Sequence, residues 1–222
     1  MKTFSIAIDG PAGAGKSTIA KKIAHDLKCI YIDTGAMYRS VGYYCLQNHI
    51  DYENEEAVCE LLNDMNIILK TSEVGQQIYL NGNDVSQSIR TDEVAAAASK
   101  VATYGPVRSE LVKRQQEMAK SESIVMDGRD IGTVVLPFAT LKIFLTASVD
   151  ERAQRRYKEY VAKGMDVSLE ALKEEIKNRD AQDSGRKISP LKKADDAVEI
   201  DTTHMEIEEI IETIKSRLLE RL

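Results

Sequence analysis

The chain has 222 residues, with 30 Lys and Arg against 36 Asp and Glu, for a net charge of -6. That length suits one domain of ordinary size with an insertion, and 43% hydrophobic with 30% charged residues describes a folded chain that needs neither disulfides nor structural metal to fill its core. An acidic chain with 5% aromatic residues and no Trp is a poor partner for nucleic-acid polymers, no run approaches the ~18 apolar residues of a membrane span, and residues 1–9 reach a carboxylate too early for a secretory signal core.

Residues 4–8 form a short apolar run ending in Asp-Gly-Pro, the pattern of a buried first strand. Residues 16–28 carry Ile19, Ala20, Ile23, Ala24 and Leu27 at helical spacing beneath a basic outer face. A second strand is predicted at 29–32 and a second helix at 36–48. Strand, helix, strand, helix implies a parallel sheet with right-handed crossovers. The rhythm then breaks. Residues 53–65 predict a helix with Ala57, Val58, Leu61 and Leu62 on one face, and 67–69 and 77–80 predict strands. Asn81-Gly82 follows at once, a hairpin signal because both residues tolerate positive φ. Residues 66–86 are therefore expected to be a small antiparallel insertion. Helices are predicted at 91–103 and 106–120, the latter opened by Pro106 where its missing N–H is not needed. Strands at 123–126 and 141–145, helices at 151–163 and 169–181, a last strand at 197–200 and a closing helix at 206–222 complete the chain. The closing helix is expected to bury Ile207, Ile210, Ile211, Ile214 and Leu218.

Cys29, Cys45 and Cys59 are widely spaced and form neither a metal-ligand pattern nor a redox pair, so free thiols in a reducing cytoplasm are expected. His25, His49 and His204 are isolated from one another.

The chemistry concentrates in one motif. Gly10-Pro11-Ala12-Gly13-Ala14-Gly15-Lys16-Ser17 matches G-x-x-x-x-G-K-[ST] between a predicted strand and a predicted helix. Glycines let backbone N–H groups turn inward around phosphate oxygens, and the helix N-terminus adds its dipole. Lys16 supplies a mobile charge to the β- and γ-phosphates, and the Ser17 hydroxyl is a magnesium ligand in such loops. A second element is Asp127, which ends the strand 123–126; it is either a magnesium ligand or the cap of the following turn. No N-K-x-D guanine signature and no L-S-G-G-Q segment occurs. Arginines then gather where loops are expected: Arg39 in Asp33-Thr34-Gly35-Ala36-Met37-Tyr38-Arg39, Arg129 in Asp127-Gly128-Arg129-Asp130, Arg152, Arg155 and Arg156 at a helix start, and Arg179 and Arg186 with Asp183 around a Gly-containing loop. Guanidinium groups offer bidentate donors to phosphate and stay charged.

At this point the chain resembles the cytidylate kinase family, bacterial kinases of CMP and dCMP. The resemblance rests on IDGPAGAGKST, DTGAMYR, AAASKVA, GPVRSELVKRQ, DGRDIGTVV, KIFLTAS and IKNRDAQDSGRKISPL, in order along nearly the whole chain. It implies an α/β P-loop fold: a five-stranded parallel sheet flanked by helices, an inserted antiparallel β region and a helical lid. It implies a nucleoside-monophosphate-binding region at about 36–103 and a lid at about 152–166. By resemblance, Gly10 to Thr18 bind ATP, and magnesium is held by Asp127 and Ser17. Family members often carry Gly followed by Thr at 17 and 18, which leaves Thr18 as the other candidate. Arg39, Arg129 and Arg186 match the arginines on the acceptor phosphate. Ser99, Arg108 and Asp130 match the residues that read cytosine, Asp183 the sugar contact, and Thr34 the hydroxyl beside the CMP site, often Ser in the family. Arg155 and Arg156 match the lid over ATP. Lys16, Arg129, Arg155, Arg156 and Arg186 are then the catalytic set, and a cytoplasmic monomer is expected. A kinase of another monophosphate or of a small metabolite is the alternative on the same fold. The charge distribution suits nucleotides: residues 151–194 hold twelve bases and eight acids, a local +4, whereas residues 195–222 hold nine acids and three bases.

Overall fold

A computed structural model describes residues 3–72 and 75–222. The first strand, β1 (Ser5–Asp9), lies at the centre of a five-stranded sheet. Ile6, Ala7 and Ile8 have no solvent exposure, as expected of a strand covered on both faces. It leads through the phosphate loop into α1 (Lys16–Leu27), whose Ile19, Ala20, Ile23 and Ala24 are buried. Strand β2 (Ile30–Asp33) passes directly into α2 (Thr34–Gln47). This helix starts two residues before the expected Ala36 because Asp33 caps it, accepting a hydrogen bond from Ala36 N at 2.9 Å.

The predicted helix over 53–65 is shorter. Asn54 caps α3 (Glu55–Leu61), and a 3₁₀ turn, Leu62–Asp64, follows. Three antiparallel strands come next: β3 (Ile67–Ser72), β4 (Gly75–Leu80) and β5 (Asn83–Asp84), in that order. Ile67 pairs with Leu80 and Leu69 with Ile78. Asn81 at φ 49° and Gly82 at φ 84° make the β4–β5 turn, so the Asn-Gly signal marks a hairpin whose second strand is β5. Residues 73 and 74 of the expected insertion 66–86, and residues 1 and 2, lie outside the described residues.

Helices α4 (Asp92–Val101) and α5 (Gly105–Met118) follow. The small residues of α4 have a packing reason. A Cβ on Gly42 of α2 would stand 2.9 Å from Ala98 N and 3.0 Å from Ala97 Cβ, so α2 and α4 approach backbone to backbone. Strand β6 (Ile124–Gly128) leads into a π-helical turn, Ile131–Val135, in a stretch that no expected element covers. Strand β7 (Leu141–Thr146), helices α6 (Val149–Ala162) and α7 (Leu169–Gly185), strand β8 (Val198–Asp201) and helix α8 (Ile207–Leu219) complete the chain. Helix α8 buries Ile210, Ile211, Ile214 and Leu218; Ile207, expected on that stripe, is exposed because it stands at the first turn beside the Glu206/Glu209 capping box.

Sheet order is β2-β6-β1-β7-β8, parallel, with Ile6 opposite both Val125 and Leu141 and Leu145 opposite Ile200. The carboxyl ends of β6, β1 and β7 therefore stand side by side, where parallel α/β sheets place their ligands. The chain divides into two compact units, the segment ending at Cys29 with Ser123–Leu222, and Ile30–Glu122. The second unit has its own core, which includes Met37, Val41, Val58, Ile78, Ile89, Val101, Val107 and Leu111. All three cysteines are free thiols, and burial pushes Cys29 and Cys45 up to about 11. Among the described residues no helix is long and apolar enough to cross a membrane.

Candidate active site

In the first unit, β1 delivers the chain to the phosphate loop at Gly10. A Cβ there would lie 2.1 Å from the Leu145 carbonyl oxygen, so only glycine lets the loop pass β7. Gly15, at φ 85°, occupies the left-handed N-cap position and opens α1. Lys16 is buried, and its Nζ donates to the Pro11 carbonyl at 2.6 Å, so the side chain folds back over its own loop. Burial lowers Lys16 well below the ordinary lysine value, and the Arg129 guanidinium adds to the effect; Asp127, Asp183 and Asp9 oppose it. The Ser17 hydroxyl donates to Asp127 Oδ2 at 2.8 Å, whereas Thr18 is exposed. Two side-chain oxygens thus meet at the start of α1. Magnesium takes one or two protein oxygens and completes its shell with phosphates and water, so Ser17 and Asp127 fit that ion. Among the described residues no cluster of three or more His, Cys, Asp or Glu side chains offers a protein-only metal cage.

Beyond β6, Arg129 Nε donates to Asp183 Oδ2 at 2.7 Å, and Arg186 pairs with Asp183 Oδ1. One carboxylate therefore holds two guanidinium groups. Burial alone would raise the Asp183 carboxyl, but Arg129 and Arg186 outweigh it and hold the group below its ordinary value. The sequence placed Arg179, Asp183 and Arg186 around a loop. In fact α7 runs on to Gly185, so Arg179 and Asp183 share one helical face and Arg186 is the C-cap. Arg179 Nε is buried with no hydrogen-bond partner among the described residues, and burial together with Arg129 lowers this guanidinium to about 10. Asp130 is buried, and its backbone carbonyl accepts from Val134 and Val135 in the π turn.

Three features of this unit escaped the sequence reading. Asp9, the last residue of β1, is 4% exposed and accepts hydrogen bonds from Ile131 N at 2.8 Å and Gly132 N at 2.7 Å, tying β1 to the segment that carries Arg129 and Asp130. Burial raises its carboxyl to about 6 against the pull of those two N–H groups. Arg152, also 4% exposed, donates to Asp180 through two bonds, to Ala147 O, and to Ala12 O of the phosphate loop. Thr202 receives a hydrogen bond from Arg155 Nη1 at 3.2 Å and donates to Thr146 O at 3.0 Å. Arg155 also holds Glu151, and Arg156 reaches Glu175 at 2.8 Å and the Tyr160 hydroxyl at 2.8 Å.

The second unit carries the remaining residues. Thr34 is buried at the first position of α2. Arg39 Nη2 donates to Asp33 Oδ2 at 2.7 Å, one carboxylate oxygen of Asp33 serving the helix cap and the other the guanidinium. A side chain at Gly35 would meet Arg39 Nη1 at 3.1 Å and Asp33 Oδ1 at 3.2 Å, which explains the glycine in that motif. Arg108 is buried on α5, donates to Ala102 O at 3.0 Å and stands 5.5 Å from the Tyr38 ring centre. Ser99 lies on α4, half-buried.

Over residues 6–219 the sequence matches the family model for cytidylate kinase. The cytidylate kinase of Bacillus cereus (strain B4264) is 56% identical over 215 residues, covering 97% of this chain and 96% of that one. The cytidylate kinase of Bacillus anthracis (strain CDC 684 / NRRL 3495) is 55% identical over 218 residues, covering 98% and 97%. A solved gluconokinase from Sinorhizobium meliloti 1021 aligns over 99% of this chain and 94% of its own with a TM-score of 0.51 at 14% identity, a likeness of fold alone.

Proposed function

The chain belongs to the cytidylate kinase family, and from that premise we propose that it transfers the γ-phosphoryl group of ATP to CMP or dCMP, giving ADP and CDP or dCDP. The observation that carries the proposal is the family match across residues 6–219. The phosphate loop from Gly10 to Thr18 receives ATP, its N–H groups on the phosphates and Lys16 on the β,γ side. Ser17 and Asp127 would hold a magnesium ion, which supplies neutralisation of charge on the β- and γ-phosphates when bound.

The acceptor is itself a phosphate whose second pKa is near 6, so it is largely dianionic at pH 7. An oxygen of that group attacks the γ-phosphorus; a P–O bond forms there as the bridge to the β-phosphate breaks, and ADP leaves with the electron pair. No general base is required, so neither Asp127 nor Asp130 is given that role. The work left to the protein is positioning, neutralisation and exclusion of water. Arg39, Arg129 and Arg186 take the acceptor phosphate. Asp183, which already orders Arg129 and Arg186, turns toward the sugar hydroxyls. Thr34 lies beside the acceptor.

Ser99, Arg108 and Asp130 read the base. Cytosine offers an amino donor beside two acceptors, which suits a carboxylate next to a guanidinium and a hydroxyl. Uracil would set an oxygen against the buried Asp130 carboxylate, the strong form of discrimination. Residues 36–103 form the acceptor-binding region and 152–166 a lid that brings Arg155 and Arg156 over ATP and keeps water from the γ-phosphate. A cytoplasmic monomer is the assembly proposed. Phosphorus NMR of the protein with ATP, magnesium and CMP tests the reaction. CDP and ADP should appear together; ADP with inorganic phosphate and unchanged CMP would refute it.

A further inference from the structure

Edge strand β2 exposes a short row of backbone groups along one side, since residues two apart in a strand point their N–H and C=O the same way. Tyr31 C=O and Asp33 N–H form such a pair. In this structure a side chain takes the place of a strand: Gln76 of β4 accepts from Asp33 N with Oε1 at 3.1 Å and donates Nε2 to Tyr31 O at 2.5 Å. A primary amide carries the same donor and acceptor as a peptide group, so Gln76 completes the ladder with one residue. Asp33 is buried and ends the strand at the point where Thr34 and α2 begin. Its carboxylate then holds Ala36 N and Arg39 Nη2.

We propose that Gln76 is a positioning residue for the acceptor nucleotide: through Asp33 it fixes Arg39, and so gives the antiparallel insertion a direct part in binding the monophosphate. This role rests on the assignment of Arg39 to the acceptor phosphate made above. Only an amide of this length meets both backbone groups. Glu would keep an acceptor for Asp33 N–H but set a second oxygen against Tyr31 C=O, and Ala would leave both groups without the side chain.

Calorimetric titration of the full chain with CMP, and separately with ATP, tests this with Gln76→Ala, Gln76→Glu, Arg39→Met and Arg39→Met/Gln76→Ala. Either Gln76 variant should weaken CMP by about tenfold, the size expected for losing one or two partly buried hydrogen bonds, and leave ATP within about twofold. Arg39→Met alone should weaken CMP, and adding Gln76→Ala to it should change CMP affinity by less than about twofold, because both act through one guanidinium. If Arg39→Met weakens CMP but both Gln76 variants bind it normally, the positioning role is wrong and the acceptor assignment stands. If Arg39→Met binds CMP normally, both are wrong. Equal weakening of ATP and CMP by the Gln76 variants would mean general loosening and would also overturn the role.

Discussion

Arg152→Met is the perturbation whose size the structure defines best. The Arg152 side chain is 4% exposed and makes four hydrogen bonds: to Ala147 O at 2.9 Å, Ala12 O at 3.1 Å, and Asp180 at 3.0 and 2.6 Å. Met keeps the stem and deletes all four. Removing one member of a buried ion pair costs about 3–5 kcal/mol, largely because the other charge is stranded. Asp180 is 25% exposed, so water re-solvates it in part and the lower end, about 3 kcal/mol, is expected. For a chain of this size that is a fall in Tm of about 6–12 °C. The double variant Arg152→Met/Asp180→Leu removes the stranded carboxylate and should recover about 1–2 kcal/mol. Because the Ala12 carbonyl belongs to the phosphate loop, the KM for ATP should rise more than that for CMP. Urea unfolding followed by circular dichroism measures the stabilities, and steady-state kinetics the KM values. A loss below about 1 kcal/mol, or a double variant no better than the single, would refute the reasoning.

Three further outcomes are expected. Lys16→Met should lower kcat by a factor of about 10²–10³ with the fold intact, as for removal of one charge-stabilising donor; near-normal kcat with melting unchanged would exclude Lys16 from phosphoryl transfer. Asp130→Ala should reduce the preference for CMP over UMP by about tenfold or more, read as the ratio of kcat/KM values; an unchanged ratio would show that the base is read elsewhere. Asp9 is raised from 3.8 to about 6 in the folded chain, which therefore holds this proton more tightly than the unfolded chain does. Its stabilising contribution is complete below about 4, is lost as pH rises through about 6, and amounts to about 3 kcal/mol. Stability of the native chain relative to Asp9→Asn should rise by that order as pH falls from 7 to 4, and a constant difference across that range would contradict the shift.

The local rules of sequence were enough for the frame. Strands at 4–8, 29–32, 123–126, 141–145 and 197–200 reappear as the five members of the parallel sheet, because buried strands read as unbroken apolar runs and a complete phosphate-loop motif fixes the first crossover. What escaped depends on partners far away in sequence. Nothing near Arg152 announces Asp180, which lies 28 residues on along another helix, so a guanidinium that braces the phosphate loop looked like one more basic residue at a helix start. Asp9 looked like the polar end of a strand; its role appears only when the segment after Asp130 folds against it. The helix expected over 169–181 runs on to Gly185, and its Asp183 pairs with Arg129 from 54 residues away, a contact that local sequence does not show. Asp33 did carry a legible signal, an acid between an apolar strand and a helix, which places the start of α2 at Thr34. Gln76 carried none, since an amide at the head of a short strand gives no sign that it pairs with another strand's backbone.

The acceptor decides the central claim. Turnover should be measured with saturating ATP and magnesium against CMP, dCMP, UMP, AMP and GMP in parallel, with kcat/KM determined for each. The account predicts that CMP and dCMP exceed UMP by about tenfold or more, through the base-reading role proposed for the buried Asp130, and exceed the purine monophosphates further still. Comparable kcat/KM for AMP or UMP and CMP would contradict it.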